Sequence, residues 1–230
     1  MPQEIRNPRI VFPDPDWSPW ALGALSRALM FYGQAQASLN NKALAAIAAY
    51  YSLLHLALFI GFQNFAWLPD KVRKKMNERL QRGEDPARGP NHPDIRQLLA
   101  SFVRDHGMPP EILHAFNSAK KLREFLNYGP RVAYTPGEGP VRFVSCEYTP
   151  GDVDGIVRAL KSCFEVAVTW LSNLDELQPA GTAGALRGAE RIVRPASGFY
   201  RGLIPQEVLD FADGLRVQLY TRISEEPPDV

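Results

Sequence analysis

Residues 45–60, AAIAAYYSLLHLALFI, narrow what this chain can become more than any other stretch. Its apolar residues recur at helical spacing on more than one face. Leu44, Ile47, Tyr51, Leu54 and Leu58 run along one line, and Tyr50, Leu53, Ala57 and Ile60 lie beside it. A helix apolar on most of its circumference has to be wrapped by other helices or by lipid. A membrane span needs about 20 strongly apolar residues. Ser52, His55 and several alanines interrupt the run here. The expectation is therefore a bundle's central helix over 42–63, with Tyr51 and Leu54 inward, and no membrane insertion.

Helical segments recur on both sides of it. Ser18-Pro19 starts one that runs to about Leu39, because serine accepts from a free amide and proline is preset for a first turn. Asn40-Asn41 breaks it and caps the next. Asp70 caps a basic helix over 71–82, stopped by Gly83. Residues 83–93, with Pro86, Pro90 and Pro93, read as a loop. A helix over 93–106 buries Ile95, Leu98, Leu99, Phe102 and Val103 and stops at Gly107. Pro109-Pro110 opens another over 110–127, with Ile112, Leu113, Phe116, Ala119, Leu122 and Leu126 inward. Asp152 or Asp154 caps a helix over 153–174, and a last one covers 206–222.

The texture changes after Gly129-Pro130. Two alternating segments flank a Thr-Pro-Gly-Glu-Gly-Pro turn, the pattern of a β-hairpin, so 131–148 is expected as an insert. The chain divides into an irregular arm over 1–17, a helical bundle over 18–177 and a C-terminal helical appendage and tail over 178–230. The fold class is all-α, five to six helices with one hairpin inserted.

Composition removes several function classes. The formal net charge is +1 over 230 residues, so no global polyelectrolyte attraction draws the chain to nucleic acid. Any such contact needs a local basic site. Cys146 and Cys163 lack CxxC pairing and metal-ligand spacing, which reads as free thiols in a reducing cytoplasm. The N-terminus carries no apolar signal core. There is no P-loop, HExxH, GxSxG or CxxC. No two of His55, His92, His106 and His114 share a helix face at i, i+4, so neither a metal nor another cofactor is expected. His55, inside the apolar helix, reads either as a core histidine or as a residue facing Arg123. Arg123 shares a face with Lys120 and Asn127. Its planar fork matches phosphate oxygens, and the alternative is an arginine on a solvated face.

Two segments together resemble a known family. Ala49-Tyr50-Tyr51 with His55, followed much later by Arg123-Glu124-Phe125-Leu126-Asn127-Tyr128-Gly129, is similar to the paired motifs of the HEPN superfamily over roughly residues 18–175. That resemblance implies a HEPN-like helical bundle and a homodimer. It also implies a binding cleft formed by Arg123, Asn127 and Tyr128, with Tyr51 and His55 behind and Lys120 beside it. Active members look like metal-independent ribonucleases that pair the arginine with a histidine. No histidine follows Arg123 within seven residues here. Tyr128, with an ordinary pKa near 10, is a poor base at neutral pH. The resemblance therefore implies RNA or nucleotide binding without cleavage, and the catalytic residues stay unassigned. The alternatives are a metal-independent ribonuclease whose histidine comes from elsewhere, His55 being one candidate, and a helical protein-interaction module in which Arg123 is structural.

Overall fold

The computed structural model describes residues 18–128, 131–133, 142–144 and 149–172, and near the C-terminus residues 206, 207, 210, 211 and 214. Among these residues the chain is helical. The helices are α1 (Ser18–Ala37), α2 (Lys42–Gln63), α3 (Asp70–Gln81), α4 (His92–Asp105), α5 (Glu111–Tyr128) and α6 (Pro150–Ser172). Short 3₁₀ turns occupy Phe65–Trp67 and Pro86–Arg88. Strands β1 (Arg131–Ala133) and β2 (Arg142–Val144) pair antiparallel, Arg131 opposite Val144 and Ala133 opposite Arg142. The rest of the expected insert lies outside the described residues, as does its placement on the bundle.

Local chemistry sets the helix ends. Gly83 and Gly107 take positive φ, 70° and 65°, and stop α3 and α4 where a side chain would be strained. Asn41 accepts from the Leu44 amide and starts α2. Two caps differ from the sequence expectation. Asp70 is the first residue of α3, preceded by Pro69, and it pairs with Arg73 one turn on. Asp152 sits inside the first turn of α6, where it accepts from the Thr149 amide at 2.6 Å and the Thr149 hydroxyl at 2.8 Å. A carboxylate there faces the free N–H groups of the helix start. Asp154 pairs instead with Lys42 of α2.

α2 is the hub. It touches α1, α4, α5 and α6. Both helices carry buried alanines, Ala21, Ala24 and Ala28 in α1 and Ala45, Ala46 and Ala49 in α2, whose small side chains suit close packing. The Ser52 hydroxyl, also buried, donates across this seam to the Ala28 carbonyl at 2.8 Å. On the far side Gly61 admits α4. A Cβ at Gly61 would stand 2.9 Å from Leu98 Cδ1 and 3.3 Å from Leu68 Cδ2. α2 is long and apolar enough to cross a membrane by length and composition, and 67% of that window is covered by the helices around it. Burial by protein thus accounts for its apolarity.

The deepest face of α2 is not the one the spacing selected. Tyr50, Leu53, Ala57 and Ile60 are fully buried, whereas of the other line Leu58 is buried, Ile47, Tyr51 and Leu54 are half-buried and Leu44 is 54% exposed. Both lines were apolar, and the neighbours decide between them. Leu126 of α5, expected inward, is 38% exposed. Of the C-terminal segment, residues 206, 207, 210, 211 and 214 are helical. Phe211 packs edge-on against Tyr32 of α1, centroids 6.0 Å apart, and Phe164 of α6, 6.2 Å apart. The remainder of the expected appendage lies outside the described residues.

Leu53→Ala is expected to cost about 2–5 kcal/mol, because a fully buried leucine leaves a cavity. Leu54→Ala should cost clearly less. Urea denaturation of the two variants checks this; equal losses would contradict the assignment of the buried face.

Candidate functional site

The site begins with a hydroxyl that the apolar helix cannot satisfy. Tyr50 is fully buried in the middle of α2, and a buried phenol without a partner costs free energy. Its partner comes from α4: the hydroxyl bonds His92 Nδ1 in a close contact. His92 stands in the first turn of α4 because a capping box fixes that end. The Asn91 side chain accepts from the Asp94 amide at 3.0 Å, and the Asp94 carboxylate accepts from the Asn91 amide at 2.9 Å. Asp94 is itself buried and is bound by Lys75 and, at 3.5 Å, by Lys71 of α3. Burial works against its ionisation. The Lys75 and Asn91 hydrogen bonds and the two lysine charges win and hold the carboxyl below its ordinary range.

α5 closes the site from the other side. Its Phe116 tilts against Tyr50, centroids 5.7 Å apart. Two turns later the Arg123 guanidinium lies over the Tyr50 ring at 5.1 Å and the Tyr51 ring at 5.7 Å. Cation–π contacts of a half-exposed guanidinium hold an arginine in place at about 0.5–1 kcal/mol each. Arg123 is half-buried, and its Nε is covered without a hydrogen-bond partner. Among the described residues no carboxylate pairs with it. Lys120, one turn earlier, pairs with Glu124 at 2.8 Å.

These surroundings set the protonation states. Burial raises the Tyr50 pKa; Tyr51 and Glu124 add to the shift, Arg123 opposes it, and the phenol keeps its proton. Burial lowers the His92 pKa, helped by Arg123 and Lys120 and opposed by Glu124. Both shifts favour a protonated phenol beside a neutral imidazole. A phenol that donates to Nδ1 leaves the ring proton of a neutral histidine on Nε2.

Of the six residues expected here, the structure brings Tyr51, Arg123 and Lys120 together. Asn127 is exposed at the end of α5. Tyr128 ends α5, and its side chain lies outside the described residues. His55 does not face Arg123. It is one turn further along α2, a step of about 5.4 Å. There it stacks on Phe31 of α1, centroids 5.6 Å apart and planes within 7°. Its charged neighbours are Arg27 and Asp85, which pair with each other at 3.2 Å. His55 Nδ1 is covered and has no hydrogen-bond partner. Burial and then Arg27 push its pKa down to about 4 against the pull of Asp85. Phe31 also stacks on Tyr51 at 5.3 Å, so one row runs from His55 through Phe31 and Tyr51 to Arg123, Tyr50 and His92.

His92 was missed by sequence reasoning, which placed it in a proline-rich loop. The available signal was the Asn91-x-x-Asp94 spacing, a capping box that starts the helix at His92. Among the described residues no three His, Cys, Asp or Glu side chains gather as a metal site would need. No family model, curated protein or solved structure matches this chain.

The depressed pKa of His55 makes a prediction with a definite sign. Its folded value, about 4, lies below the ordinary 6.5, so folding disfavours the charged form. The stability it contributes is present above pH 6.5 and is lost as pH falls toward 4. His55→Phe keeps the stack on Phe31 and removes the titration. Thermal melts at neutral pH and at about pH 4.5 should show a smaller acid loss in His55→Phe than in the parent. Equal losses would contradict the burial of a neutral imidazole.

Proposed function

We propose that this chain is a HEPN-like helical protein of the cytoplasm that holds RNA or a nucleotide at Arg123 without cleaving it. The 131–148 hairpin is part of that reading as an insert in the bundle, and two copies form a homodimer. One observation carries the proposal. Arg123 is half-buried and held against two tyrosine faces, yet no carboxylate among the described residues neutralises it. A guanidinium taken partly out of water gains most from an anion with two oxygens, and a phosphate supplies them. The Tyr51–Phe31 stack continues the surface with aromatic area of the kind on which bases stack.

Two observations support binding without cleavage. Tyr50 is held as a phenol, and His92 Nδ1 is already engaged by it. The ribonuclease reading gains one observation all the same. His92 stands within electrostatic reach of Arg123, although it comes from a different helix than the motif would supply.

Mixed single-stranded RNA, incubated with the purified protein and run on native gels at two salt concentrations, tests both readings. The parent should retard the RNA, less so at higher salt because phosphate contacts release counterions. Arg123→Gln should bind about 10- to 100-fold more weakly, the value of a charged hydrogen bond of about 1.5–3 kcal/mol. Its circular dichroism should match the parent. Cleavage that survives a chelator would replace the binding reading with the ribonuclease one. A parent that retards no RNA would leave Arg123 structural and the chain an interaction module.

A further inference from the structure

The Arg123 surface contains a second group able to meet a phosphate, and the geometry defines how it would do so. His92 is half-exposed at the start of α4, with Nδ1 facing inward to the Tyr50 hydroxyl. The Tyr50 ring at the other end of that bond carries the Arg123 guanidinium, 5.1 Å from its centroid. One buried tyrosine therefore sets the positions of both groups, the imidazole through its hydroxyl and the guanidinium through its face. We propose that His92 is a phosphate-binding residue of this same site, taking up one proton when a phosphodiester settles beside Arg123. The inference rests on the reading of Arg123 as an anion-binding residue and goes beyond it by naming the second ligand group and its proton.

The charges around His92 give the reason. From α5 it faces Arg123, Lys120 and Glu124; from α2 it faces Tyr50, with Tyr51 beside it. On its own helix Asp94 is engaged by Lys75 and Lys71 of α3 and by the Asn91 amide, so it is committed elsewhere. Burial and the two α5 cations favour the neutral imidazole, and the helix start opposes a positive charge there as well. A phosphodiester between Arg123 and His92 reverses the balance, because its negative charge offsets the repulsion from Arg123 and Lys120. The proton arrives from solvent. In the charged ring Nδ1–H donates to the Tyr50 oxygen and Nε2–H donates to the phosphate. The uptake forms one N–H bond at Nδ1, the Tyr50 hydroxyl turning from donor to acceptor, and no bond of the phosphodiester forms or breaks.

Proton uptake on binding means affinity rises as pH falls through the range between the bound and free midpoints of His92. The probe is a short mixed-sequence 2′-O-methyl RNA carrying Cy5 and no terminal phosphate. Its diester charges do not change near neutral pH, and it has no 2′-hydroxyl to attack. Anisotropy titrations of the full chain at about pH 6 and about pH 8, at equal ionic strength, should give about five- to tenfold tighter binding at the lower pH. His92→Gln should bind with a ratio near one. His55 titrates at about 4, below this window, and does not contribute. The His92 Cε1–H signal of the parent should also shift its midpoint upward when the probe is added. Binding with no pH dependence, or a dependence that survives in His92→Gln, overturns the inference and leaves the Arg123 reading standing. No binding at either pH overturns both.

Discussion

A phenol hydroxyl in the middle of an apolar helix is the constraint from which the rest of this architecture follows. α2 is covered by α1, α4, α5 and α6, so the Tyr50 hydroxyl has no water to turn to. It needs a polar atom from a neighbouring helix, and His92 supplies one. That requirement fixes where α4 begins. It is met because the Asn91–Asp94 capping box, held by Lys75, puts the first turn of α4 at this point. The same tyrosine offers its ring face to α5, where Arg123 takes it. One side chain thus ties three helices, and the bond between two of them is also the geometry of the candidate site.

The distribution of charge separates Arg123 from the other partly buried cations. Arg27 pairs with Asp85, Lys42 with Asp154, Lys75 with Asp94, Arg79 with Glu84 and Lys120 with Glu124. Each of those pairs ties one segment to another or braces a helix turn. Arg123 has two aromatic faces in place of a carboxylate among the described residues. Aromatic faces hold a guanidinium without neutralising it, and its charge stays available to a ligand.

The helices were legible in the sequence where short-range chemistry sets them. Gly83 and Gly107 mark stops because of the left-handed turn they allow, and Asn41 marks a start. α2 was legible as the core helix from its apolarity. Its inner face was not, because a helix apolar all round has no polar side to point outward; Leu53 and Leu54 are equivalent until the neighbours are known. The site was half legible. Arg123, Tyr51 and Lys120 lie on helix faces that spacing defines. His92 joins them from 31 residues before Arg123 along the chain, through a hydrogen bond to a buried tyrosine, and spacing does not encode that contact. His55, readable as a core histidine or as a residue facing Arg123, is covered and lies away from Arg123: one helical turn along α2 moves it to the surroundings of Arg27 and Asp85.

The central claim is that Arg123 is positioned for a ligand and does not hold the fold together. Arg123→Met keeps an unbranched apolar stem while removing the guanidinium and its charge, and its urea denaturation, measured without ligand, tests the claim most directly. Loss of the cation–π contacts alone should lower stability by less than about 2 kcal/mol. A loss of about 3–5 kcal/mol, the cost of breaking a buried ion pair, would show that Arg123 is a structural residue and contradict the account.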